Sequence, residues 1–126
     1  MHSIMIIDDE RIVGDMAKLS LSQDGYDVET FLDGESALRR LKEKSFAVVV
    51  TDLKMKGVDG LEVLRNVKQL YPATAVIMIT AFANLDVAIE ALRDDVFDFF
   101  PKPVKIKDLK ASVKRAVEKG NMPQAG

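Results

Sequence analysis

Residues 47–55 read AVVVTDLKM. Ala47–Thr51 is apolar or β-branched at every position, without alternation, as in a parallel strand covered on both faces. The run stops abruptly at Asp52. In open parallel sheets ligands bind beyond the carboxyl ends of the strands, so a strand that delivers a carboxylate there directs attention to the ends of the others.

Outward from this stretch lie four more short runs: Ser3–Ile7, Tyr26–Phe31, Ala75–Ile79 and Phe97–Phe100. The segments between them carry helical spacing. Ile12, Met16 and Leu19 share one face of the first, and Ala37, Leu38 and Leu41 one face of the second. The third groups Val63, Leu64, Val67, Leu70 and Tyr71; the fourth, Ala88, Ala91 and Leu92. The last groups Ile106, Leu109, Val113, Ala116 and Val117. Asp59 with Glu62 reads as a capping box, Pro72 closes the helix that follows, and Asn84 caps the next. Gly120 and Pro123 are expected to end the last one. Five strands alternating with five helices predict an α/β chain with a flavodoxin-like, doubly wound parallel sheet, and of the common orders for such sheets 2-1-3-4-5 is the one expected. Tyr26–Phe31, broken by Asp27, Glu29 and Thr30, belongs at an edge.

The chain has 126 residues, no cysteine and a net charge of −2. The length suits one domain, expected over 1–120, with 121–126 a flexible tail or the start of a linker. Without cysteine, disulfides, thiolate metal sites and thiol nucleophiles are excluded. The balanced charge gives no reason to expect direct nucleic-acid contact. No apolar run approaches the roughly 20 residues that span a bilayer, and the N-terminal run is too short for a signal peptide. No membrane association is expected, and a cytoplasmic location is. The single His2 carries no catalytic or metal assignment.

The strand ends hold the chemistry. The first strand runs into Asp8, Asp9 and Glu10; the third ends at Asp52, the fourth at Thr80 and the fifth at Lys102. Asp8, Asp9 and Asp52 brought together would repel one another, and a hard divalent cation with oxygen ligands, Mg²⁺ first, resolves that repulsion. Asp52 can then act as a nucleophile that forms an acyl phosphate. Lys102 would stabilise the phosphoryl oxygens, and Thr80 would donate its hydroxyl to one of them. Each residue has an ordinary reading too: Asp8–Asp9 as a solvated turn at a helix start, Thr80 as a strand end, Lys102 as a surface lysine. It is the combination that points to phosphoryl chemistry.

Four motifs carry a family resemblance: IIDDE at 6–10, VVVTDLKM at 48–55 with Gly60 after it, MITAF at 78–82 and DFFPKP at 98–103. With them the chain resembles the receiver domains of two-component response regulators over about residues 3–119. The resemblance implies that a sensor histidine kinase or phosphotransfer protein phosphorylates Asp52 in a Mg²⁺-dependent reaction, with Mn²⁺ as a substitute. It implies Asp9, Asp52 and the backbone carbonyl of Lys54 as metal ligands, and Asp8 acting through metal-bound water. It makes Thr80 and Phe99 a switch pair and the Lys102–Pro103 bond cis. On this reading the chain is a phosphoacceptor signalling domain, catalysing its own phosphorylation and slow dephosphorylation, and not a turnover enzyme. The surface of the fourth helix, fifth strand and fifth helix would control an output domain or partner, transcription regulation among the outputs.

Two departures from the family pattern stand out. Lys56 replaces a common proline, from which a less rigid loop is expected. Asp95–Val96 replaces a common Gly-Ala, from which a different end to the fourth helix is expected. Phe82 is expected to restrict the approach of hydrolytic water. The fourth helix carries Asp86, Glu90, Asp94 and Asp95, the fifth Lys105, Lys107, Lys110, Lys114, Arg115 and Lys119, so a homodimer pairing them reciprocally is an expectation. Three competing readings are weaker. A haloacid-dehalogenase-type phosphatase places a second Asp where this chain has Lys54; a flavodoxin-like cofactor binder needs a phosphate loop where it has Asp-Asp-Glu; an unphosphorylated interaction module has no need of the acidic set.

Overall fold

The computed structural model of the chain describes residues 1–81 and 84–121. Strands and helices alternate throughout: β1 (Ser3–Ile7), α1 (Arg11–Gln23), β2 (Asp27–Phe31), α2 (Gly34–Glu43), β3 (Val48–Asp52), α3 (Gly60–Leu70), β4 (Ala75–Thr80), α4 (Leu85–Arg93), β5 (Asp98–Pro101) and α5 (Ile106–Asn121). All pairings are parallel and the strand order is 2-1-3-4-5, as predicted. At their carboxyl ends β3, β4 and β5 each run one residue further than predicted, so Asp52 and Thr80 are themselves ladder residues.

Alternation along the strands divides the core between the two faces. Ile4, Ile6, Val48, Val50, Ile77 and Ile79 pack with Leu21 of α1 and Leu109 and Val113 of α5. Met5, Ile7, Val49, Val76 and Met78 pack with Leu41 of α2, Val63, Leu64 and Val67 of α3 and Ala91 of α4. Full burial of such side chains stabilises by roughly 1.5–3 kcal/mol each, and this fixes the register, because a one-residue slip would exchange the two faces.

The predicted face of α1 is wrong. Ile12, Met16 and Leu19 are largely exposed, whereas Gly14, Ala17 and Leu21 are buried. The helix lies close over β2, and a Cβ on Gly14 would already touch Thr30 at 3.7 Å. The inward side is thus Gly14, Ala17 and Leu21.

The predicted caps form. Asp59 accepts from the Glu62 N–H at 3.0 Å and Asn84 from the Val87 N–H at 2.9 Å, and α3 stops at Leu70, ahead of Pro72. Gly120 lies within the last turn of α5 instead of terminating it, and Pro123 falls outside the described residues. The end of α4 also differs from expectation. Asp95 takes the left-handed conformation itself, at φ 67°. The Asp95 and Val96 amides donate to Leu92 and Ala91 carbonyls at 3.1 and 3.0 Å, so the helix closes as it would with glycine, at a local conformational cost.

Candidate functional site

Each strand end places its residue by main-chain geometry. The Asp8 N–H donates to the Phe31 carbonyl at 3.0 Å, which draws the β1–α1 turn against the end of β2. Asp8 Oδ1 in turn accepts from the Glu10 N–H at 2.9 Å and starts α1. Asp52 is the last residue of β3, and Gly60 closes the following loop by donating its N–H to the Leu53 carbonyl at 2.8 Å. Gly60 is required by close approach: a Cβ there would collide with the Asp52 carbonyl oxygen and lie 2.8 Å from Leu53 Cα. The Lys102 N–H donates to the Thr80 carbonyl at 2.9 Å, and the Lys102–Pro103 bond is cis.

The side chains converge. Lys102 Nζ lies 2.9 Å from Asp8 Oδ2, 3.1 Å from Asp52 Oδ2 and 3.1 Å from Glu10 Oε1. Asp8 and Thr80 are buried and Asp52 nearly so; Asp9 and Glu10 are exposed. Carboxylate oxygens of Asp8, Asp9 and Glu10 all lie within 4.8 Å of one another. Burial works against the Lys102 charge, but the three carboxylates of Asp8, Asp52 and Glu10 beside it outweigh this and push its pKa well above the usual lysine value. Burial has the opposite outcome at Asp8: it raises the carboxyl pKa, and the Glu10 N–H and Lys102 offset it only in part.

Of the residues expected at the site, Asp8, Asp9, Asp52, Thr80 and Lys102 share this rim. Phe99 is half-buried on β5, beside Met78 of β4 and packed against the α2–α4 side of the core. Lys54 follows Asp52 by two residues in the exposed rim loop. Phe82 lies outside the described residues. Glu10 was not singled out as a site residue from the sequence, although it adjoins Asp9. Its signal was available in the helix-start turn, where the third acid of the run rotates toward the fifth strand.

Whether these residues suit a hard cation can be judged from Asp8. Its Oδ2 is buried, and among the described residues no aligned hydrogen-bond donor satisfies it; only the charge of Lys102 is near. A buried, unsatisfied carboxylate oxygen beside two more carboxylates is a donor set suited to Mg²⁺.

Residues 4–114 match the family described as the response regulator receiver domain. The chain belongs to that family. This receiver domain is 34% identical over 114 residues to the DNA-binding transcriptional regulator NtrC of Escherichia coli K12, covering 90% of the chain. It spans only 24% of that regulator's length. Among solved structures it resembles a receiver domain from Clostridium thermocellum, with a TM-score of 0.88 and 35% identity over 94% of this chain and 96% of that one. It also resembles a CheY-like receiver domain from Methanospirillum hungatei JF-1, with a TM-score of 0.92 and 27% identity over 95% and 96%. Among the described residues no helix is long and apolar enough to cross a membrane.

Some of the charges expected on the output surface have partners within the chain. Arg65 of α3 binds Asp94 at 2.8 Å and Glu90 at 3.6 Å, and Lys68 lies 3.6 Å from Asp95. On α5, Arg115 binds Asp98 at 3.0 Å, and Lys110 binds Asp24 at 3.3 Å. Much of the charge is thus satisfied within the chain. Beside the exposed Asp86, Glu90 and Arg93, α4 leaves apolar side chains in solvent: Leu85 and Leu92 extensively, Ile89 in part.

Proposed function

We propose that this receiver domain accepts a phosphoryl group on Asp52 from the phosphohistidine of a sensor histidine kinase or phosphotransfer protein, in the cytoplasm. The observation that carries the reading is the 3.1 Å approach of Lys102 Nζ to Asp52 Oδ2 at the carboxyl rim of the sheet. A carboxylate oxygen of Asp52 attacks phosphorus; the bond from phosphorus to the donor nitrogen breaks, and the imidazole leaves with the bonding pair. The Lys102 ammonium stabilises charge on the equatorial oxygens, and the Thr80 hydroxyl donates to one of them. Asp9, Asp52, the Lys54 carbonyl and, through water, Asp8 would hold Mg²⁺, or Mn²⁺ in its place. Bound there, the cation neutralises the carboxylates and the incoming phosphoryl oxygens. The domain thereby catalyses its own phosphorylation and slow dephosphorylation.

Thr80 moving toward the new phosphoryl group, with Phe99 following, would report modification to α4, β5 and α5. The exposed Leu85, Ile89 and Leu92 stripe supports that surface as the contact for an output domain or for a second copy of the domain. The NtrC relative supports transcription regulation as the output. The test is incubation with acetyl phosphate and Mg²⁺, followed by intact mass. Wild type gains one phosphoryl group and Asp52→Asn none; equal labelling of both ends the proposal. For the homodimer, sedimentation with a beryllofluoride mimic decides, and a monomer at high concentration rules it out.

A further inference from the structure

An ammonium has three N–H donors, and in this structure three carboxylates surround the one on Lys102. Two of these donors are engaged: Nζ donates to Asp52 Oδ2 and to Glu10 Oε1 at 3.1 Å each, so a phosphoryl oxygen arriving at Asp52 competes with Glu10 for the ammonium. The three partners are unequal. The side chain of Asp8 is fully buried, that of Asp52 is 7% exposed and that of Glu10 is 59% exposed. Water can replace lysine at Glu10 at little cost, while Asp8 has no such substitute.

Resting on the Asp52 reading above, we infer that Glu10 is a built-in competitor of the phosphoryl group: a positioning residue that holds one donor of Lys102 in the unmodified state and yields it on modification. Glu10 stands where an anion would, and its carboxylate adds negative charge at the mouth through which an anionic donor must come. Removing that carboxylate frees the donor and lowers the repulsion together. An exposed ion pair contributes little, so the effect is a tuning of acceptance and not a switch.

The experiment is calorimetric titration with beryllofluoride at Mg²⁺ concentrations shown to saturate each variant. Glu10→Gln is expected to bind the mimic tighter by roughly two- to fivefold, the range an exposed ion pair supports. Asp15→Asn removes a charge from α1 without touching Lys102 and is expected to match wild type. A second readout uses the protein before any Mg²⁺ is added: the Lys102 ammonium protons, followed by ¹⁵N NMR, exchange faster in Glu10→Gln. Equal or weaker binding by Glu10→Gln overturns the inference, and so does an equal gain in Asp15→Asn, which would make the effect one of overall charge. Wild type that binds no mimic and gains no phosphoryl mass overturns the Asp52 reading itself, and the inference with it.

Discussion

Gly60 opens α3 directly against the main chain of Asp52, so near that a Cβ would strike the Asp52 carbonyl oxygen. The end of β3 and the start of α3 are therefore one rigid corner, closed by the Gly60 N–H to Leu53 carbonyl bond at 2.8 Å. The proposed phosphoacceptor is oriented from behind by this contact and in front by Lys102.

Gly60→Ala consequently costs more than a surface substitution. Forcing a methyl group against backbone atoms destabilises by about 1–3 kcal/mol and shifts Asp52 away from Lys102. The urea midpoint falls, and the rate of labelling by acetyl phosphate falls with it. A variant of unchanged stability and labelling rate contradicts the close-approach argument.

Asp8→Asn is expected to stabilise the protein while weakening Mg²⁺ binding. Burial raises the Asp8 pKa above its ordinary 3.8, so the folded state binds a proton more readily than the unfolded chain. Stability from this group therefore falls as pH rises from 3.8 through the raised folded value, then levels off. Asparagine can keep the Oδ1 bond to the Glu10 N–H and removes the cost of burying the charge and its repulsion from Asp52, while Lys102 keeps Asp52 and Glu10 as partners, a gain on the order of 1 kcal/mol at neutral pH. Urea denaturation with chelator present, across pH, measures the first effect, and calorimetric Mg²⁺ titration the second.

Asp95→Gly should raise the denaturation midpoint with an unchanged m value. The φ of 67° costs an L-residue about 1 kcal/mol, and glycine recovers most of it, less the entropy it adds to the unfolded chain. The lost contact to Lys68 is weak, since Asp95 is largely exposed. Asp95→Val should be destabilising, because a β-branched residue tolerates this conformation least.

On the edge strand, hydrogen bonds from Arg40 and then Lys44 hold the Glu29 carboxyl below its ordinary 4.5. Stability from this lowered group is complete above pH 4.5 and is lost as pH falls through the lower folded value. Glu29→Gln should therefore melt a few degrees below wild type at pH 7. The two curves should draw together in acid, and a gap that persists at the lowest pH would contradict the linkage.

The site and the fold were unequally legible in the sequence. Asp8, Asp9, Asp52, Thr80 and Lys102 could be placed on one rim because each directly follows an apolar run, and parallel strands bring all their carboxyl ends to the same edge. Glu10 stood in the same acidic run but received no role, because which acid of a helix-start turn faces Lys102 depends on how α1 sits against the sheet. That Asp95 stands in a common glycine position was legible, but that it takes the left-handed conformation all the same was decided by the closed end of α4 at Val96.

Sequence by itself determined the alternation of elements and the chemical types placed at the strand ends, since periodicity and capping are local properties. Tertiary structure decided which side of α1 faces inward, with Gly14, Ala17 and Leu21 buried and Ile12, Met16 and Leu19 left in solvent. It also decided that three carboxylates share one ammonium and that the acids of α4 are drawn to α3. The physical reason is the same in each case. Local pattern sets what a segment offers, while distances between segments, and so every Coulomb and packing term among them, exist only once the sheet has closed.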